Sequence, residues 1–294
     1  CNTEDEVTKV AQDADGIINQ YAPITRRVIE SLKRCKVIAR YGVGVDNIDI
    51  EAATEYGIIV ANVPDYCIDE VSTHAMALIL ACARGITLLD SKIREKKWDF
   101  TLAKPLFRTR GKTLGLFGLG RIARALAQKA SGFGFKIIAY DPYVSKVNDG
   151  IELVEFSKLL SNSDYISIHS PLTDETRHLF GENMLRAMKK TAYLINTARG
   201  SIVDEEALYQ ALEKRWIAGA ALDVMEKEPP DWGNLLPKLD NLIITPHISF
   251  YSEESYVELK TKTAKAVLSV LEGGLPRAMV NPQAANKRVI QGGR

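Results

Sequence analysis

Short apolar runs recur through the middle of this chain, and stretches with helical spacing separate them. The runs are TLGLFG (113–118), KIIAYD (136–141), YISIHS (165–170), AYLINT (192–197), AGAALDV (218–224) and NLIITP (241–246), with ELVEF (152–156) as a further candidate. Apolar residues at consecutive positions belong to strands buried on both faces, which means parallel strands covered by helices. Between them lie RIARALAQKASGFG, SKLLSNS, ENMLRAMKK and DEEALYQALEKR, all patterned as helices. Such alternation predicts a doubly wound α/β domain.

A smaller unit of the same kind precedes it. GIINQ (16–20), KVIARYG (36–42) and IIVAN (58–62) read as parallel strands, with PITRRVIESL and IDIEAATEYG as the helices between them. From Asp69 to about Lys97 the pattern predicts one long helix, or two joined at Gly85, crossing between domains. A last helix, Glu253 to Glu272, ends at Gly273 and Gly274 and is expected to pack back on the first unit. The predicted division is therefore 1–70 with 255–294 as one discontinuous domain, and 71–254 as the other. The chain opens at Cys1 on an acidic helical stretch with no strand before it, so further N-terminal residues are expected.

Composition narrows the function classes. The 294 residues carry a formal charge of +1, which lacks the basic excess of a nucleic-acid or anionic-membrane partner. No apolar run approaches the roughly 18–20 residues that span a bilayer; Ala75 to Cys82 is cut short by Arg84 and Gly85. Cys1, Cys35, Cys67 and Cys82 form no C-x-x-C pair and have no His at metal-ligand spacing. The expectation is reduced thiols in a cytoplasmic protein without a metal.

The strand TLGLFG runs directly into GLGRIA. Gly118 and Gly120 match the first two positions of G-x-G-x-x-G/A, and Ala123 takes the third. The first glycine permits the tight turn, and the second lets backbone approach a pyrophosphate at a positive helix N-terminus. The next strand ends in Asp141, about twenty residues on, where a carboxylate accepts hydrogen bonds from the adenosine ribose and repels a 2′-phosphate. A glycine triplet alone is weak evidence, but strand, helix, second strand and acid all fall in place. The cofactor expected is NAD.

Ligands of open α/β sheets bind beyond the carboxyl ends of the strands. Arg199 follows AYLINT, Asp223 ends AGAALDV with Glu228 close behind, and His247 follows NLIITP. A guanidinium matches the paired oxygens of a 2-keto acid and stabilises charge that develops on the carbonyl oxygen. An imidazole near neutrality can deliver or remove the proton, and Glu228 beside it would fix the ring tautomer. Each group also has a bland reading. Arg199 could pair with Asp204, one of Glu226 and Glu228 could be merely solvated, and His247 could be a satisfied structural histidine. The other histidines, His74, His169 and His178, are weaker candidates, and His74 on the apolar helix reads first as packing.

RYGVGVDNID, NVPDYC, GKTLGLFGLGRIA, HSPLTDET, LINTARG, ALDVMEKEPP and ITPHIS occur in that order. Over nearly its whole length the chain resembles the D-isomer-specific 2-hydroxyacid dehydrogenases, the group that includes D-3-phosphoglycerate dehydrogenase and glyoxylate/hydroxypyruvate reductases. The resemblance implies a Rossmann NAD domain and a flavodoxin-like substrate domain, with the active site in a cleft between them. It implies Arg199 as the substrate-binding arginine and His247 with Glu228 as the acid/base pair. Asp223 is similar to the family residue at the nicotinamide carboxamide, and Arg121 and Ile122 to residues at the pyrophosphate. Pro171, Thr176 and Thr197 look like further cofactor contacts, and Gly42-Val43-Gly44 like the loop that takes the substrate carboxylate. A homodimer built on the long helix and the arm from Trp98 to Arg110 is implied as well. Ala123 stands where many members have Gly, and the C-terminal regulatory domain of some phosphoglycerate dehydrogenases is not seen.

Two rival readings share the fold: a non-catalytic NAD(H)-sensing interaction protein of the corepressor kind, and a formate-type dehydrogenase, which typically has Gln where Glu228 stands. Tyr41 replaces a small residue seen in many members and is expected to narrow the pocket. The substrate expected is a small unphosphorylated 2-keto acid, although Arg40 and Lys36 could in principle meet a phosphate.

Overall fold

In the computed structural model the described residues are all but 2, 148–149, 232, 234–235 and 292–294, and they divide into two compact units. One comprises residues 1–67 and 252–294, the other 68–251. The boundaries fall three residues ahead of those expected, because Ile68 already opens a helix and Ser252 is the cap of another.

The first unit begins with helix α1 (Glu4–Ala11), capped by the Thr3 side chain and burying Val7 and Ala11. Strands β1 (Gly16–Asn19), β2 (Val37–Arg40) and β3 (Ile59–Ala61) form a parallel sheet in that order. Helix α2 (Arg26–Ser31) links the first two, and α3 (Ile50–Glu55), capped by Asp49, links the second two. Their apolar faces meet in one core that includes Ile24, Val28, Ile38, Ala52 and Val60.

The second unit opens with α4 (Ile68–Arg84) and α5 (Ile86–Arg94). Gly85 separates them in a left-handed conformation, and the axes bend by 62° there. No single helix among the described residues is long and apolar enough to cross a membrane. Next come β4 (Thr113–Phe117), α6 (Arg121–Gly132), β5 (Lys136–Tyr140), β6 (Ile151–Leu153) and α7 (Phe156–Asn162). β7 (Tyr165–Ile168), α8 (Glu182–Ala187), β8 (Tyr193–Asn196), α9 (Glu205–Glu213), β9 (Gly219–Leu222) and β10 (Leu242–Ile244) complete it. The run ELVEF splits: Phe156 leaves the strand and starts α7, where its ring packs against Phe117, Tyr140 and Phe180.

All seven strands are parallel, in the order β10-β9-β8-β7-β4-β5-β6. Side chains alternate across the sheet. Leu194 and Leu222 enter a core with α7, α8 and α9, while Ile195 and Ala221 enter one with α4 and α6. The chain winds outward from β4 to β6 and then crosses back to β7, so the direction of winding reverses between β4 and β7. Crevices at such a reversal are where doubly wound sheets bind ligands.

The chain then returns to the first unit. Helix α10 (Glu253–Leu271) starts with a Ser252–Ser255 capping box and buries Val270 against Val37 and Ile59. Asn281 joins β3 through its side chain, accepting from the Val60 N–H at 2.7 Å and donating to the Ile58 carbonyl at 3.0 Å. The 19 residues of α10 stand far from β1 in sequence yet share its core, and α11 (Gln283–Gln291) follows.

Candidate active site

The turn after β4 carries the glycine pair. Gly118 has φ +86°, and a Cβ there would meet the Ser170 backbone nitrogen at 2.9 Å and the His169 carbonyl carbon at 3.0 Å. A glycine is needed on both counts, since the conformation is left-handed and the neighbouring loop is too close. Gly120 caps α6 and differs: a Cβ there would meet nothing within 4 Å. The space it leaves lies at the N-terminus of a helix of 12 residues, where an anion is favoured. Asp141 is locked to the same turn, its carboxylate accepting from the Leu119 N–H at 2.8 Å and the Tyr143 N–H at 2.9 Å. Arg121 and Ile122 form the first helical turn, Arg121 exposed and Ile122 half-buried.

The loops after β7 and β8 complete this rim. The Thr176 hydroxyl donates to the Pro171 carbonyl at 2.8 Å, which folds 171–176 into a closed turn. On this rim the buried hydroxyl oxygens of Ser170 and Thr197 have no hydrogen-bond partner among the described residues. Buried polar atoms are normally paired, so these two, together with the opening beside Gly120, are what a polar ligand such as a dinucleotide would satisfy. Thr197 is named by the family resemblance, whereas no sequence signal marks Ser170, which lies two residues past the end of β7.

Substituting Gly120 by alanine should therefore separate binding from folding. We expect the melting temperature to stay within about 2 °C, because no atom is displaced. The dissociation constant for NADH should rise at least about tenfold, because the methyl occupies the approach to the helix N-terminus. Calorimetric melting and fluorescence titration check the two halves, and unchanged NADH affinity would remove Gly120 from the cofactor cradle.

Arg199 leaves the end of β8 in a turn held by buried Asn196, whose amide donates to the Arg199 carbonyl at 2.8 Å and whose oxygen accepts from the Ala198 N–H at 3.0 Å. The Arg199 Nη1 donates to the Ala198 carbonyl at 2.7 Å. Asp204 caps α9 through the Ala207 N–H. The next residue, Gly200, lies against the Met225–Glu226 peptide: a Cβ there would fall 1.9 Å from the Met225 carbonyl carbon. This contact brings the Arg199 turn against the loop that carries Glu228. Reciprocal bonds reinforce it, from Glu226 N–H to Glu205 Oε1 at 2.6 Å and from Glu205 N–H to Glu226 Oε1 at 3.1 Å. Burial, with Glu226 and Glu228 nearby, holds the Glu205 carboxyl above its usual range. Glu226 also meets His178 at 3.1 Å, so it is structurally employed rather than merely solvated.

The Nδ1 of His247 lies 2.6 Å from Glu228 Oε2, and Glu228 Oε1 accepts from the Met225 N–H at 3.0 Å. In a neutral ring this places the proton on Nδ1 and the lone pair on Nε2. Both side chains are about one-third exposed, which leaves the pair open to a ligand. His247 has φ +50°, an unfavourable conformation for a residue with a Cβ. His169 is a poor alternative: burial pushes it down to about 4, so near pH 7 it is not the imidazolium that a proton donor needs. Asp223 is fully covered and sits beneath the His247 turn, accepting from Thr245 Oγ1, Ile248 N–H and Ser249 N–H. In this structure its carboxylate serves the turn, whereas the family resemblance implied a nicotinamide contact.

The Gly42-Val43-Gly44 loop belongs to the first unit. Gly42 has φ +147°, its carbonyl accepts from Val63 N–H, and the Asn62 amide donates to the Val43 carbonyl at 2.7 Å. Arg40 reaches back to the Tyr41 carbonyl, and the Tyr41 ring meets Tyr256 edge-on at 6.4 Å between centroids. Buried Cys82 and half-buried Cys35 are pushed up to about 12 and about 11 by desolvation, so both are thiols near pH 7.

The profile of the NAD binding domain of D-isomer specific 2-hydroxyacid dehydrogenases matches residues 76–249. The chain belongs to this family. D-3-phosphoglycerate dehydrogenase of Methanocaldococcus jannaschii is 44% identical over 284 residues, covering 95% of this chain and 54% of that protein. Glyoxylate reductase of Thermofilum pendens is 42% identical over 298 residues, covering 98% and 88%. The chain thus spans about half the length of the phosphoglycerate dehydrogenase and most of the reductase. Among solved structures, D-lactate dehydrogenase from Aquifex aeolicus complexed with NAD and lactic acid superposes with a TM-score of 0.85 at 31% identity, covering 94% of this chain and 88% of that one. For a D-2-hydroxyacid dehydrogenase the glycine turn, Asp141 and the two orphaned hydroxyls fit NAD as the cofactor.

Proposed function

We propose that this protein transfers hydride between NAD and C2 of a small D-2-hydroxy acid or 2-keto acid. The observation that carries the reading is the His247–Glu228 pair at 2.6 Å, on the same unit and the same strand-end rim as the glycine turn. NAD, when bound, supplies or accepts the hydride. His247 delivers a proton from Nε2 to the substrate oxygen during reduction and removes it during oxidation. Glu228 orients the ring and balances the charge of the imidazolium. Arg199 holds the substrate carboxylate and carbonyl and stabilises negative charge developing on the oxygen. Gly42, Val43 and Gly44 present backbone to the substrate carboxylate. Arg121 and Ile122 meet the pyrophosphate, Pro171, Thr176 and Thr197 line the remainder of the cofactor site, and Asp223 is buried behind it under the His247 turn. Trp98 and Phe100, 91% and 75% exposed, belong to the arm assigned to a homodimer.

The test is loss of NADH absorbance against glyoxylate, hydroxypyruvate, pyruvate and phosphohydroxypyruvate, with NADPH in parallel. We expect turnover with NADH, highest kcat/KM on an unphosphorylated acid, and at least about a tenfold preference over NADPH because Asp141 repels a 2′-phosphate. Preference for NADPH would overturn the role of Asp141. A best rate on phosphohydroxypyruvate would overturn the substrate class, and NADH binding without turnover of any acid would favour a sensor.

A further inference from the structure

His247 is held in a left-handed conformation, unfavourable for a residue with a side chain, so its surroundings must impose it. Three groups beneath it form a line. His74 Nε2, on α4, lies 3.0 Å from Thr245 Oγ1, and Thr245 Oγ1 lies 2.5 Å from Asp223 Oδ1. His74 Nε2 is itself 3.7 Å from Asp223 Oδ1. The carboxylate can only accept, so the single hydroxyl proton of Thr245 goes to Asp223. The Thr245 oxygen is then left to accept, and His74 must carry its proton on Nε2. The hydrogen bonds run in one direction, from imidazole to hydroxyl to carboxylate.

Asp223 passes this order to the backbone on both sides of His247. Its carboxylate takes the N–H groups of Ile248 at 3.0 Å and Ser249 at 2.9 Å, and its own carbonyl accepts the His247 N–H at 2.8 Å. Thr245 N–H in turn donates to the Leu222 carbonyl at 2.9 Å, anchoring the start of the turn on β9. The carboxylate is fully buried, and a buried charge with a missing partner is costly, so removing a donor leaves Asp223 under-paired and free to shift away from the turn it holds.

We propose that His74 and Thr245 are positioning residues for His247: acting through Asp223, they fix the turn that brings Nδ1 onto Glu228 and aims Nε2 at the substrate. This rests on the assignment of His247 as the acid/base group. It gives His74 a task that packing of α4 alone does not supply, since Leu in its place would pack as well and donate nothing.

The experiment compares His74→Leu, His74→Gln, Thr245→Val and Thr245→Ser. Gln can place an N–H near the position of the imidazole Nε2, and Ser keeps the hydroxyl. His74→Leu and Thr245→Val should each lower kcat about tenfold or more while KM for NADH changes less than about twofold. The Gln and Ser variants should recover most of the loss. The double variant His74→Leu/Thr245→Val should be no slower than the slower single one, because both act through one carboxylate. A second readout needs no turnover: the His247 Nδ1–H proton resonance, assigned by its loss in His247→Asn, should broaden or vanish in His74→Leu and persist in His74→Gln. A sharp, unshifted resonance in His74→Leu overturns the proposal, as does a loss shared equally by the Leu and Gln variants. Wild-type protein inactive on every 2-keto acid would overturn the proposed function, while the resonance still decides the role of His74.

Discussion

His247→Ala is expected to lower kcat/KM for the best 2-keto acid by at least about 100-fold, a loss of roughly 2.7 kcal/mol of transition-state stabilisation. The residue stands at the strand-end rim with Nδ1 tied to Glu228, so its remaining nitrogen is the group available for proton transfer. Among the described residues, His169 and His74 are poor substitutes. His169 is neutral near pH 7, and His74 has its Nε2 proton committed to Thr245. Affinity for NADH should change little, because the glycine turn and Asp141 are untouched. Arg199→Ala should cost a similar factor, with a larger rise in KM, since in the proposed mechanism the guanidinium holds substrate as well as stabilising charge. Steady-state kinetics with a fluorescence titration of NADH provide the check. Near-normal activity in His247→Ala would sink the acid/base assignment.

Gly200→Ala is expected to be among the most disruptive single methyl additions in the chain. The added carbon would fall 1.9 Å from the Met225 carbonyl carbon, 2.1 Å from its oxygen and 2.3 Å from the Glu226 nitrogen. All three are backbone atoms, so no rotamer change relieves the overlap. The Arg199 turn and the Glu228 loop must part by more than an ångström, which strains the Glu205–Glu226 bonds that lock them. Overpacking of this kind costs typically 1–3 kcal/mol and more when backbone is involved. We expect a loss of about 3 kcal/mol or more, read as a fall of roughly 6–12 °C in melting temperature. Molecules that still fold should lose at least about 100-fold in kcat/KM, because Arg199 and Glu228 sit on the two loops that separate. A melting temperature and activity equal to wild type would show that the close approach is not a constraint. Gly120→Ala is the contrasting case, an equal change of sequence into open space.

Much of this was legible from residues alone because it depends on local chemistry. The spacing of apolar runs placed six of the seven strands of the larger sheet, since a strand covered on both faces is apolar throughout. Gly118 and Gly120 stood out because a tight turn between strand and helix needs them. Arg199, Glu228 and His247 were found as polar residues just past strand ends. Gly85 marked the break between α4 and α5, where the chain takes a left-handed step. Elsewhere local reading stopped short. The run 152–156 alternates well enough for a strand, but Phe156 gains more from the aromatic cluster than from the ladder.

The sequence by itself determined the α/β class, the glycine turn and which polar side chains stand at the strand ends, because each follows from periodicity or from residue type at a strand end. Only the tertiary structure decided how those groups are held. Gly200 looks like any loop glycine until Met225 is packed against it, and His74 looks like one more residue of an apolar helix until Thr245 and Asp223, from two other elements, reach it. These are contacts between residues far apart along the chain, and neither spacing nor composition encodes a distance of 1.9 or 3.0 Å across such a separation.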